Sequence, residues 1–210
     1  MKRLFLASSI GRTGADIARK IGKNPKKLKT AFITTAAEGE GSSDKKWLVN
    51  DRKGLVSAGF DLFDYTITGK NPKQIEKDLG YCDVIHVNGG NTFYLLLQSR
   101  RSGFDKFIKK FVEKGGIYIG SSAGSIIAAQ DIGISRKKKH EKYATELKTF
   151  EAFGLVDFIV LPHWGSDLFK DDYLNERLIT SYVVGNKIIP ITDTQYVLVE
   201  DDMYKIVDVD

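Results

Sequence analysis

This chain of 210 residues has only one cysteine, four prolines and three histidines, and each scarcity closes off a class of protein. Cys82 alone cannot form an internal disulfide, so nothing calls for an oxidising compartment. So few prolines, with no biased repeat, speak against linkers, low-complexity tails and solenoids. No run approaches the about 18 apolar residues that span a bilayer, and Leu4-Phe5-Leu6-Ala7 behind a basic start is too short for a signal peptide. The expectation is a protein without a membrane partner, cytoplasmic by default. No His/Cys/Asp cluster has metal-ligand spacing, so no metal is expected. Gly11-Arg12-Thr13-Gly14 matches neither G-x-G-x-x-G nor a P-loop, which leaves no cofactor to assign.

What is present is ordinary globular composition: 42% hydrophobic and 28% charged residues, enough to bury one core over residues 1–210. The net charge of +5 resides largely in short clusters, Lys23 to Lys29 and Arg136 to Lys139. These read as solvated surface and as partners for small acidic ligands, and no nucleic-acid-binding signature accompanies them.

Short β-branched or aromatic runs alternate with helical patterns through the first 130 residues. Strands are expected at Lys2 to Ser8, Thr30 to Thr35, Phe60 to Ile67, Asp83 to Val87 and Gly116 to Gly120. Helices are expected at Thr13 to Ile21, Trp47 to Ala58, Pro72 to Leu79, Asn91 to Ser99 and Phe104 to Lys114. Such alternation is the mark of βαβ units, hence of an α/β fold with a mostly parallel sheet and helices on both faces. Further on, strands are expected at Phe158 to Leu161 and Lys187 to Ile191, a helix at Leu168 to Val184, and a closing antiparallel hairpin from Gln195 to Glu200 and Met203 to Val207. Chemistry in such sheets sits beyond the carboxyl ends of strands, which directs attention to three segments.

Gly120-Ser121-Ser122-Ala123-Gly124 has the G-x-S-x-G form between a strand and the apolar run Ser125 to Ala129. A sharp strand-to-helix turn exposes the serine hydroxyl, and its crowded backbone needs small neighbours. Ser122 is the candidate nucleophile; the plain alternative is a glycine-rich turn. Asn88-Gly89-Gly90-Asn91-Thr92 follows an apolar strand and opens a helix, so its free N–H groups suit an anion. The Gly90 and Ala123 N–H groups are the candidate oxyanion donors, and Asn91 is a candidate substrate contact or simply an N-cap. His163, in Leu161-Pro162-His163-Trp164-Gly165, is the candidate base. His86 lies inside an apolar strand and reads as a hydrogen-bonded structural histidine, and His140 follows a basic run and reads as exposed.

Taken together, Gly90-Asn91-Thr92, Gly120 to Gly124 and Leu161-Pro162-His163 resemble the serine peptidase family that contains aspartyl dipeptidase and cyanophycinase. The resemblance covers most of the chain. It implies a flavodoxin-like three-layer sandwich related to the class I glutamine amidotransferases, with serine where those have cysteine. It also implies an exopeptidase of very short peptides, often with aspartate on the acyl side of the cleaved bond. Family members carry an Asp or Glu a short way after the nucleophile to orient the histidine; in that window Glu141 is the only carboxylate, amid Arg136, lysines and His140. Glu141 is therefore expected to complete the triad, with a surface residue paired to lysines as the plain alternative. Arg136 is the candidate partner of a substrate carboxylate.

Two rival functions stand beside this one. An α/β serine esterase uses the same elbow, although only 88 residues follow Ser122, few for that fold. A non-catalytic small-ligand-binding protein is favoured only by the lysine-rich window. A homodimer is left open, since no apolar surface stripe marks a face.

Overall fold

The computed structural model describes residues 1–41, 44–136 and 141–209, with only the backbone of residues 141 and 144. His140 and the lysines 137–139 thus lie outside the described residues. In chain order the elements are β1 (Arg3–Ala7), α1 (Ile10–Ile21), β2 (Thr30–Ile33), α2 (Thr35–Glu38), α3 (Lys46–Ser57), β3 (Leu62–Tyr65), α4 (Pro72–Leu79) and β4 (Val84–Val87). Next come α5 (Thr92–Ser102), α6 (Phe104–Glu113), β5 (Ile117–Ser121), α7 (Ala123–Ile126), α8 (Glu141–Ala144), β6 (Ile159–Leu161) and α9 (Asp167–Asp172). Finally there are α10 (Leu178–Val184), β7 (Ile188–Pro190), β8 (Gln195–Glu200) and β9 (Met203–Asp208).

Seven strands form one sheet in the order β3-β2-β4-β5-β1-β8-β9. The first five are parallel, and β8 and β9 add antiparallel strands at one side. The expected hairpin therefore does not stand apart: β8 pairs with β1 along its whole length, which makes the hairpin an extension of the sheet. The expected strands near 160 and 188 do form, but as a separate parallel pair, β6 with β7.

Each strand alternates its side chains between two layers, as the pleat requires. Leu4, Leu6, Ala31, Ile33, Ile85 and Val87 pack beneath α4, α5 and α6 through Ile75, Leu79, Phe93, Phe104 and Ile108. Phe5, Ala7, Phe32, Val84, Ile117 and Ile119 face α1 and α3 through Ile10, Ile17, Ile21 and Leu55. Each such buried Leu, Ile, Val or Phe side chain contributes roughly 1.5–3 kcal/mol. Local signals set the helix limits. Asn71 and Gln74 form a capping box around Pro72 at the start of α4, and α1 ends on Gly22 in the left-handed region.

Two expectations are refined here. The helix expected over Leu168 to Val184 forms without interruption from Asp167 to Val184, but its middle, Tyr173–Arg177 between α9 and α10, is π-helical. The wider turn brings Tyr173 and Arg177 inward, where both are buried. His86 is structural but not hydrogen-bonded: neither ring nitrogen has a partner among the described residues, and the ring stacks on Phe32 at 4.8 Å. Burial disfavours its charged form and pushes its pKa down to about 3.

Candidate active site

A cavity of about 440 Å³ opens where β1, β4, β5 and β6 end; Ser8, Gly89, Gly90, Ser122 and His163 lie on its wall. The elbow is visible in the backbone. Ser122 has φ of 48° and ψ of −109°, a strained setting for a residue with a side chain. Its neighbours must be small: a Cβ on Gly124 would run into the Val87 carbonyl, and one on Gly120 would sit 2.6 Å from the Gly124 carbonyl oxygen. The Ser122 N–H donates to the Ala7 carbonyl at 3.1 Å and the Ser125 hydroxyl to the same oxygen at 2.7 Å, so the elbow is tied to the central strand.

His163 Nε2 lies 3.0 Å from Ser122 Oγ. Its other ring nitrogen, Nδ1, lies 2.7 Å from Asp193 Oδ1. With the Nδ1 proton given to the carboxylate, Nε2 is left as the acceptor that faces the serine. The carboxylate on the imidazole is thus Asp193, whereas Glu141 was the expected acid. The backbone of residue 141 belongs to α8, a short helix beside α5, and its side chain lies outside the described residues. The hydrogen bond to His163, helped by that from Ser8, holds the Asp193 carboxyl below the usual carboxylate range. Ser8 braces the arrangement: its hydroxyl donates to Asp193 Oδ1 at 2.5 Å and accepts the His163 N–H at 2.8 Å. The Phe169 ring stacks on the imidazole at 4.8 Å.

Gly90 has φ of 131°, and a Cβ there would collide with the Ala36 backbone, so only glycine fits this turn. Neither the Gly90 nor the Ala123 N–H donates to another group among the described residues. Asn91 does not line the cavity. Its side chain caps α5, accepting from the Phe93 and Tyr94 N–H groups at 3.1 and 3.0 Å. Arg136 is exposed, its guanidinium 5.8 Å from the centre of the Phe150 ring, and is not on the cavity wall either. The guanidinium on that wall is Arg177, 5% exposed and delivered by the π-helical segment. Its Nε lies 2.9 Å from Asp172 Oδ2, off the hydrogen-bonding direction, and its Nη1 has no partner among the described residues.

Asp193, Ser8, Arg177 and Asp51 escaped the sequence reading. Asp193 and Ser8 each follow a strand at its carboxyl end, so the rule that found the elbow would have found them too. Arg177 carries no such signal, because a π-helical insertion cannot be told from a regular helix by apolar spacing.

A serine on a strand-to-helix elbow of a mostly parallel sheet, with an imidazole against its hydroxyl, places the molecule in the class of α/β serine hydrolases. Known proteins narrow this further. The chain belongs to peptidase family S51, whose family model matches residues 5–207. It is 31% identical to an uncharacterized peptidase of Listeria monocytogenes over 95% of each chain. Peptidase E of Shewanella amazonensis is 38% identical over 45% of this chain and 37% of its own. The crystal structure of a peptidase E-like protein of Listeria monocytogenes superposes with a TM-score of 0.86 at 28% identity, covering 100% of both chains. The chain is a serine-type peptidase with a mostly parallel α/β fold. Among the described residues, no helix is long and apolar enough to cross a membrane.

Proposed function

We propose that this peptidase removes the end of very short peptides by covalent catalysis and prefers an acidic residue beside the scissile bond. Ser122 Oγ attacks the carbonyl carbon while His163 Nε2 takes its proton. Asp193 keeps the imidazole in the right tautomer and stabilises the imidazolium. The Gly90 and Ala123 N–H groups receive the charge that develops on the carbonyl oxygen. The imidazolium then gives its proton to the leaving amine, and water releases the acyl group by the same steps in reverse roles.

What carries this reading is the unbroken line from Asp193 through His163 to Ser122, at 2.7 and 3.0 Å. The order of the three along the chain, nucleophile, base, acid, differs from the Ser, acid, His order of the α/β-hydrolase esterases and weighs against that rival. The small cavity, walled by Trp47, Phe169 and Tyr173, suits a substrate of two or three residues. Acidic selectivity rests on Arg177: a buried guanidinium with an unused Nη1 is a ready partner for a carboxylate.

The test uses a fluorophosphonate probe and three dipeptides, Asp-Leu, Asn-Leu and Ala-Leu. Labelling at Ser122 and faster turnover of Asp-Leu are expected. Arg177→Gln should lower the rate on Asp-Leu more than on the neutral peptides, while Arg136→Gln leaves the preference as it was. Equal or faster cleavage of Asn-Leu and Ala-Leu by the wild type would remove the acidic selectivity.

A further inference from the structure

One carboxylate in this site has no part in the steps above. Asp51, near the middle of α3, is 6% exposed, yet it touches the chain beyond two separate strand ends and, through Ser121, a third. Its Oδ1 accepts the Ile10 and Gly11 N–H groups at 3.0 and 3.2 Å, the first turn of α1 after β1. Its Oδ2 lies 2.8 Å from the hydroxyl of Ser121, the last residue of β5. That hydroxyl is also 2.7 Å from the side-chain amide of Asn88, the residue after β4. Ser121 and Asn88 are both fully buried.

A hydroxyl has one hydrogen and cannot donate to two acceptors. Two arrangements resolve this. In the first, the Asn88 amide is turned over, so that Nδ2–H donates to Ser121 Oγ and Ser121 donates to an ionised Asp51. In the second, Asp51 carries a proton, donates it to Ser121 Oγ, and Ser121 donates to Asn88 Oδ1. The Asn88 Nδ2, otherwise without a partner, favours the first. Both are unbroken chains from Asp51 through Ser121 to Asn88.

Each end of this chain is one residue from the chemistry. Ser121 precedes Ser122, and Asn88 precedes Gly89-Gly90. The two turns are already close, since a Cβ on Gly89 would stand 3.2 Å from Ser122 Cβ. We propose that Asp51 is a positioning residue: through Ser121 and Asn88 it fixes the Gly89-Gly90 turn against the nucleophile elbow, and so sets the distance between Ser122 Oγ and the Gly90 N–H. The proposal rests on Ser122 as nucleophile and Gly90 as oxyanion donor. A donor that matters only as charge develops affects kcat more than KM.

Three variants test it, each checked for folding by circular dichroism. Asp51→Ala and Ser121→Ala, which break the chain at different links, should each lower kcat by about 10- to 100-fold, with KM changed less than about threefold. The double variant should be no slower than the worse single one, because one chain is broken either way. Asp51→Asn keeps an acceptor for the α1 amides and presents N–H to Ser121, whose hydroxyl then donates to Asn88 Oδ1 with the Asn88 amide in the other orientation; the chain stays unbroken, so kcat should return to within a few-fold of wild type. Should Asp51→Ala fail to fold, Ser121→Ala decides alone, since it leaves the α1 contacts in place. Unchanged kcat in folded Ser121→Ala, losses that multiply in the double variant, or an Asp51→Asn as slow as Asp51→Ala would each overturn the proposal. Fluorophosphonate labelling separates its failure from that of the underlying reading. A wild type labelled at Ser122 with fully active chain-breaking variants removes the positioning role alone; a wild type unlabelled at Ser122 removes both.

Discussion

On the nucleophile side of the cavity the wall is the end of the main sheet. Ser121, Asn88 and Ala123 are buried, their side chains are small, and hydrogen bonds run from the turns back to Ala7 and Ile33. On the base side the wall is the small β6–β7 pair and the helical strap from α9 to α10. There Leu168 is 85% exposed and Tyr182 91%, and the strap surrounds only a small apolar cluster of Ala129, Ile134, Ile159, Leu161 and Tyr173. The difference follows from what each side must hold. A strained φ at Ser122 persists only if dense surroundings leave the backbone no alternative. A base needs an orientation, and three contacts supply it for His163: Asp193, Ser8 and the face of Phe169.

The comparison can be broken from either side, and the largest effect falls where the two meet. Ser122→Ala and His163→Ala should each lower kcat by several orders of magnitude without unfolding the protein, and Asp193→Asn by about 10⁴-fold through the wrong tautomer. Glu141→Gln should stay within about twofold of wild type. Steady-state kinetics on one dipeptide checks all four, and an Asp193→Asn enzyme of full activity would dismiss the assignment of the acid. The hydrogen bonds from His163 and Ser8 hold the Asp193 carboxyl below the usual range, so it stays ionised where ordinary carboxylates begin to take up protons.

Smaller in effect, and confined to the dense side, is Gly124→Ala. Its methyl would overlap the Val87 carbonyl, backbone against backbone, with no side chain free to move aside. A loss of about 3 kcal/mol or more is expected in urea unfolding. Gly165→Ala on the base side also meets a positive φ, 85°, but open space, and should cost less, about 1–2 kcal/mol. Equal costs at the two positions would erase the distinction drawn here.

An effect visible only on changing the pH concerns His86, under the dense wall. Its folded pKa of about 3 lies below the ordinary 6.5, so between these values the unfolded chain binds more protons than the folded one. The stabilisation is complete above pH 6.5 and is lost as the pH falls. At pH 5 the loss is on the order of 2 kcal/mol. His86→Leu should flatten this part of the stability profile, measured by urea unfolding between pH 7 and pH 5; an unaltered slope would show that other groups set it.

These two sides were unequally legible in the sequence. The dense side is written in local signals: an apolar strand, a run of small residues, then a helix, from Ile117 to Ile126 and again from Val84 to Thr92. The base side is legible only at Leu161-Pro162-His163. Asp193 sits in a polar Thr-Asp-Thr stretch that reads as the lead into a hairpin, while the window after Ser122 offers Glu141 as its one carboxylate. Asp51 is a charged residue within a mostly polar helix, a pattern that describes a solvated face; its burial depends on α3 crossing the ends of β1 and β5, which no local pattern encodes. Arg177 depends on an extra backbone residue in a helical turn. In each case the missing information is tertiary.

The residues of the site lie at positions 8, 88–90, 122, 163 and 193, one from each of five strand ends. No early stretch of the chain therefore contains a working peptidase. During synthesis the elbow and the Gly89-Gly90 turn can be in place while His163 is still to come, and Ser122 then has no base. The acid arrives last, in the turn just before β8, the strand that zips antiparallel along β1. Contacts so distant in sequence form late and together. The line from Asp193 through His163 to Ser122 therefore closes only once the contacts most distant in sequence have formed.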